Sequence, residues 1–149
     1  HRTDNIQHCL ICQAPQILRT NGVGSCLVIC LYDRVKKNGA LGHMMLPNRS
    51  NNDLNPTRYI DTALPLMLAD LAKYGTQTKD LVAKIAGGAN MFPNLWITQT
   101  PVGKRNVEAA QEILKQLSIP ILSQDVGGSR GRSLEFELET GKVIVTSKS

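Results

Sequence analysis

The apolar residues of this chain fall into short runs separated by glycine- and asparagine-rich breaks, the rhythm of a strand-dominated fold. Leu27-Val28-Ile29-Cys30-Leu31-Tyr32 is continuously apolar and rich in β-formers, which predicts a buried strand. Upstream, residues 6–12 predict a first strand, broken by Pro15. Ile17–Thr20 then resumes extended chain up to the turn Asn21-Gly22-Val23-Gly24. Downstream, residues 40–46 predict another strand, closed by Pro47. Residues 33–39 read as the hairpin connection, with Asn38-Gly39 as its turn dipeptide and lysines at an exposed tip.

Residues 48–58 form a polar loop ending in Asn55-Pro56, an N-cap followed by a favoured first helical position. A helix to about Tyr74 follows, with Ile60, Ala63, Met67, Leu71 and Tyr74 on one stripe, Gly75 as its stop, and Pro65 predicted to kink it. Residues 81–86 predict a strand entering a second glycine turn, Gly87-Gly88. Residues 94–101 read as irregular, and Asn106–Leu117 as an amphipathic helix with Val107, Ala110, Ile113, Leu114 and Leu117 inward. A strand over 119–124, a third glycine loop over 125–132 and two strands, 133–139 and 142–146, close the chain. In the first of these, Leu134, Phe136 and Leu138 alternate with Glu135, Glu137 and Glu139, so one face is wet. The order βββαβαβββ is that of an α+β fold with helices covering a sheet. With no repeat or linker, residues 1–149 read as one domain, the first four being set aside as a disordered or extraneous start.

Candidate chemistry concentrates at Cys26. It stands where a glycine loop runs into a core strand, fixed by the scaffold yet open on the loop side. Cys30 lies inside the apolar run with no loop beside it and reads as core. Cys9, Cys12, Cys26 and Cys30 come close to a zinc-ribbon spacing without equalling it, and a zinc-bound structural protein is one alternative. His43 interrupts an apolar strand next to Gly42. Antiparallel pairing with Tyr32 opposite Ala40 sets His43 opposite Ile29 and Cys26 opposite Leu46, about 10 Å out of line at ~3.3 Å per residue. A bulge near Gly42 or a longer connection shortens that gap. The sequence permits a Cys–His pair, and it equally permits a hydrogen-bonded core histidine.

Seventeen Lys and Arg against 12 Asp and Glu give a formal charge of +5, which favours acidic partners. Aromatics are only 4%, too few for a base-stacking platform, and the basic residues are scattered, so nucleic acid is not an expected partner. No apolar run approaches the ~18 residues of a membrane span. The polar N-terminus shows no signal peptide, and a reducing cytoplasm is the expected compartment.

Seven segments carry a family resemblance: T-N-G-V-G-S-C (20–26), G-A-L-G-H-M-M-L-P (39–47), R-Y-I-D-T-A (58–63), K-I-A-G-G-A-N-M-F (84–92), G-K-R-N-V (103–107), D-V-G-G-S-R-G-R-S (125–133) and E-T-G-K-V (139–143). Together, in this order, they resemble the CheD family of chemoreceptor glutamine deamidases. The resemblance implies a layered α/β sandwich related to cytotoxic necrotizing factor-type deamidases, with mixed, largely antiparallel sheets covered by two main helices. It implies a catalytic Cys26, His43 and Thr20, working through a Cys thioester without metal or cofactor. The backbone at Ser25 and Cys26 is the candidate oxyanion hole, and Gly24, Gly87 and Gly88 are candidate substrate-binding positions. The implied partners are the cytoplasmic regions of chemoreceptors, as substrate, and a CheC-type phosphatase. Pro65 and the variable stretch 94–101 depart from the family pattern and bear on the partner surface rather than the chemistry. Two other readings share these residues: a non-catalytic module that regulates receptors or the phosphatase, and transamidation from the same acyl-enzyme.

Overall fold

The computed structural model describes residues 2–4, 9–49, 53–92 and 100–147. Among these, nine strands and two α-helices are defined: β1 (Arg2–Asp4), β2 (Cys9–Gln13), β3 (Ile17–Val23), β4 (Leu27–Asp33), β5 (Asn38–Met44), α1 (Ile60–Lys73), β6 (Leu81–Gly87), α2 (Val102–Gln116), β7 (Ile121–Val126), β8 (Arg132–Glu137) and β9 (Val143–Ser147). One sheet has the order β1-β3-β8-β9 and the other β2-β5-β4-β6-β7. Pairing is antiparallel except for β1 with β3 and β6 with β7. This is the expected α+β architecture.

β4 is buried at every position because it runs through the middle of the larger sheet, covered on both faces. Leu27, Ile29 and Leu31 pack with α1 and α2, through Ile60, Leu64, Met67, Ala110 and Leu114. Val28, Cys30 and Tyr32 face the other sheet, against Leu18, Leu134 and Phe136. The period-2 alternation of a strand thus divides one apolar run between two cores. Tyr32 meets Phe136 edge-to-face at 5.8 Å, and its hydroxyl donates to Leu138 O. β8 alternates as expected, with Leu134 and Phe136 buried and Glu135 and Glu137 half-exposed.

The β4–β5 connection differs from expectation. The turn is Arg34–Lys37, closed by the pair Asp33–Asn38, so Asn38 and Gly39 are strand residues. Asp33 Oδ1 accepts from the backbone N–H of Val35 and Lys36, and Lys37 takes a left-handed φ of 56°. Asn38 is buried and donates to Tyr74 O and Thr76 Oγ1; Thr76 in turn donates to Asp33 Oδ2. Gly39 lies under Leu138, where a Cβ would collide with that side chain. The ladder therefore pairs Tyr32 with Gly39 and Val28 with His43, one residue away from the expected register.

Other differences are smaller. Asn55 caps a separate 3₁₀ turn, Pro56–Arg58, and α1 begins after it at Ile60. Gly75, at φ +87°, ends α1 with paired bonds from Gly75 N–H to Ala72 O and Thr76 N–H to Leu71 O. Tyr74 is half-exposed rather than in the core stripe, and Leu64 takes the buried place. α2 starts at Val102, four residues before the expected Asn106, because no side chain caps it and Gly103 weakens the local signal. Arg2–Asp4, set aside as a disordered start, pairs with β3. Residues 6–8 of the expected first strand and 94–99 of the irregular stretch lie outside the described residues.

Burial raises the Asp33 carboxyl, but the Thr76 hydroxyl and the Lys36 and Val35 amides outweigh it, holding the group below its ordinary value. Asp33 therefore contributes stability above the unfolded carboxylate range, near pH ~4, and loses it as pH falls through the lower folded value. Asp33→Asn is expected to cost about 1.5–3 kcal/mol at pH 7. The gap to wild type should narrow below about pH 4, measured by urea unfolding across pH.

Candidate active site

Thr20 lies on β3 opposite Leu134, with its side chain fully buried. Beyond it, Asn21 and Gly22 oppose Ser133 alone before Val23 meets Arg132, which is a β-bulge with Gly22 at φ +68°. Gly24–Cys26 then carry the chain from the smaller sheet to the larger one. Cys26 is half-buried at the entry to β4. Two residues on, Val28 pairs with His43 of β5. Strand parity puts His43 on the Val28 face of the larger sheet, toward the smaller sheet, and Cys26 lies in the bend two residues before Val28, just outside β4. In the expected register His43 faced Ile29 and thus the helices; the Arg34–Lys37 turn sets it between the sheets instead.

His43 is fully buried between the sheets. Its Nδ1 lies 2.7 Å from Thr20 Oγ1. That hydrogen bond spans the sandwich and fixes the ring's rotation, leaving Nε2 as the atom through which the imidazole can exchange a proton. The structure thus brings Thr20 and His43 together directly, and places Cys26 in the bend two residues before Val28, which pairs with His43.

The Gly24–Cys26 loop is held by its carbonyls. Ala89 N–H donates to Gly24 O at 2.9 Å, Gly88 N–H to Cys26 O at 2.8 Å, and Asn106 Nδ2 to Ser25 O at 2.8 Å. Gly87 (φ +113°) and Gly88 (φ +67°) make the turn that delivers these amides. Gly88 N–H is therefore engaged with the loop itself. Asn90 N–H donates to Gly128 O and Gly127 N–H to Gly87 O, so the three glycine turns converge. Arg132, almost fully buried, ties them by donating to Gly87 O, Gly127 O and Asp125 Oδ1.

Burial pushes the Cys26 thiol above its ordinary value, and its own backbone N–H offsets this only in part. The resting group is a thiol, so a base must take its proton for it to act. Cys30 is wholly buried and raised further by desolvation, with Lys84 opposing, which fits an inert core residue. Beside Ser25, a pocket of about 250 Å³ is lined by Ala89, Asn90, Met91, Phe92, Val102 and Gly103. Met91 and Phe92 are exposed at its rim, and Gly24 lies against the Met91 side chain.

Residues 45–147 match the family model described as CheD chemotactic sensory transduction. The chain belongs to the CheD family. "Chemoreceptor glutamine deamidase CheD" of Thermotoga maritima is 43% identical over 131 residues, covering 88% of this chain and 82% of that protein. Its namesake of Halalkalibacterium halodurans is 44% identical over 135 residues, covering 88% and 83%. A "Probable chemoreceptor glutamine deamidase CheD" of Pyrococcus abyssi is 44% identical over 129 residues, covering 85% and 79%. Among solved structures, Bacillus licheniformis hypothetical protein YfiH aligns with a TM-score of 0.52 at 14% identity, over 78% of this chain. This chain spans 49% of the YfiH chain, and the likeness is one of fold.

Two residues of this CheD-family site escaped sequence reasoning. Arg132 lay in the third glycine loop with nothing to mark it as buried. Asn106 stood at the start of the expected helix; once α2 begins at Val102, Gly103, Asn106 and Ala110 fall on its buried stripe, the signal that would have found it.

Gly22 and Gly87 both adopt positive φ, but only Gly87 is crowded: a Cβ there would overlap Cys26 O and Val23, whereas Gly22 has open space. Gly22→Ala is expected to cost about 1–2 kcal/mol of left-handed strain. Gly87→Ala should cost about 1–3 kcal/mol more from overlap, measured by urea unfolding of the two variants side by side.

Proposed function

We propose that this chain is a chemoreceptor glutamine deamidase, converting a protein glutamine side chain and water to glutamate and ammonia. The observation that carries the reading is the buried Thr20–His43 hydrogen bond, with Cys26 two residues before Val28, the residue that pairs with His43. His43 Nε2 takes the Cys26 proton as Sγ attacks the amide carbon, which compensates for the thiol's raised pKa. The imidazolium then protonates the leaving nitrogen, which departs as ammonia and leaves a thioester. Water, deprotonated by His43, attacks that thioester; the thiol leaves with the proton, and glutamate is released. Thr20 Oγ1 accepts the Nδ1–H of the imidazolium and keeps the ring oriented, the third role of a triad filled by a neutral group.

The oxyanion forming in each half-reaction needs donors. In a trans peptide the N–H points opposite to its carbonyl. With Gly24 O and Ser25 O tied to Ala89 and Asn106, the N–H groups of Ser25 and Cys26 face away from those ties, which supports them as the oxyanion hole. The neighbouring pocket, with Met91 and Phe92 at its rim, suits the apolar part of a protein segment around the target glutamine. The formal +5 charge suits an acidic receptor surface. A CheC-type phosphatase remains the expected second partner, and the cytoplasm the expected compartment. Among the described residues no helix is long and apolar enough to cross a membrane. Relation to cytotoxic necrotizing factor-type deamidases belongs to this proposal too, resting on the shared Cys-His chemistry.

Incubated with a receptor cytoplasmic fragment, wild type should convert glutamine to glutamate, read by peptide mass spectrometry. Cys26→Ala should abolish the conversion, and conversion by that variant would sink the thiol mechanism. His43→Ala should lose about 10²–10⁴-fold. Thr20→Val removes one hydrogen bond to a charged ring and should lose about ten- to a hundredfold in kcat. Receptor binding without any mass change by wild type would instead support the non-catalytic module.

A further inference from the structure

Asn106 is a buried polar side chain that hydrogen-bonds both the loop before β4 and the chain just after β5. It is fully buried on α2. Its Nδ2 donates to Ser25 O at 2.8 Å and to Met45 O at 2.9 Å. Ser25 immediately precedes the nucleophile, and Met45 follows His43 by two residues, just past the end of β5. The amide's orientation is not arbitrary: turning it over would set Oδ1 against two carbonyl oxygens. Held as it is, Oδ1 is buried with no hydrogen-bond partner among the described residues. The two donated bonds, not the acceptor, are therefore what fix the side chain.

Gly103 explains how α2 comes close enough. It lies against Ala89 O and Gly88 O, where any Cβ would collide at 2.5 Å. One helical turn therefore presses the Gly87–Gly88 turn against the nucleophile loop and inserts Asn106 between the two catalytic segments.

We propose that Asn106 is a positioning residue for the deamidation reaction, a proposal that rests on the Cys26–His43 reading. Its hydrogen bond to Ser25 O sets the Ser25–Cys26 peptide plane, and hence the direction of the Cys26 N–H at the oxyanion. Its bond to Met45 O ties that plane to the strand bearing His43. Asn106 touches neither thiol nor substrate; it fixes the geometry between groups that do.

The test compares Asn106→Ala and the isosteric Asn106→Asp with wild type, on a receptor fragment and by iodoacetamide alkylation of Cys26 across pH. Both variants should lose about ten- to a hundredfold in kcat with KM within about threefold, since the lost bonds matter at the oxyanion and not in docking. Their Cys26 alkylation profile should move to higher pH, as expected of a thiol separated from its base. Protonated Asp regains one donor, so the activity of Asn106→Asp relative to wild type should rise as pH falls. Wild-type kcat and an unmoved alkylation profile in a folded Asn106→Asp would overturn the proposal. So would loss of the fold in both variants, which would make Asn106 an ordinary core tie. Cys26→Ala run alongside separates the levels: activity there defeats the thiol reading itself, whereas an inactive Cys26→Ala with a fully active Asn106→Asp defeats only the role of Asn106.

Discussion

The ladder between β4 and β5 admits two phases, and only one of them sets His43 between the sheets. In that phase the imidazole faces Thr20 across the sandwich; in the other it would face the helices. The choice is made some 20 Å or more from the site, at ~3.3 Å per residue, by the turn Arg34–Lys37. There the Asp33 carboxylate gathers two backbone amides and the Thr76 hydroxyl, and Asn38 is pinned to the end of α1 through Tyr74 O. A polar cluster at one end of the sheet thereby decides which side of it His43 occupies at the other.

At the site end, backbone carbonyls rather than side chains do most of the holding. Three successive carbonyls of the nucleophile loop accept from three different donors, two from the second glycine turn and one from α2. That turn is fastened to the third by Arg132 and by reciprocal amide–carbonyl bonds. Glycine is required where backbone meets backbone, at Gly87 and Gly103, because a methyl has nowhere to go. Loops stacked this closely behave as rigid scaffold, which is what a pre-oriented reaction centre needs.

Much of this was legible in the sequence, for physical reasons. A continuous apolar run bounded by glycines is a buried strand in few other contexts, and Leu27–Tyr32 is one. Cys26 was marked by its position at the head of that run, and Cys30 by its place inside it. Family resemblance added Thr20, which local patterning alone would not single out. The register was not legible, because Asn38-Gly39 has the strongest short-range hairpin chemistry in the region. It was outcompeted by Asp33 and Asn38, whose partners Thr76 and Tyr74 are distant in sequence. Asn106 was missed because α2 opens on Pro101 without a capping side chain, so its first turn carries no start signal.

The half-buried, protonated thiol of Cys26 has a consequence for the protein's durability. Peroxides and electrophiles attack thiolate far faster than thiol. A thiol held in its protonated form is a poor target for sulfenic acid formation, so the desolvation that raises the Cys26 thiol also slows its oxidation.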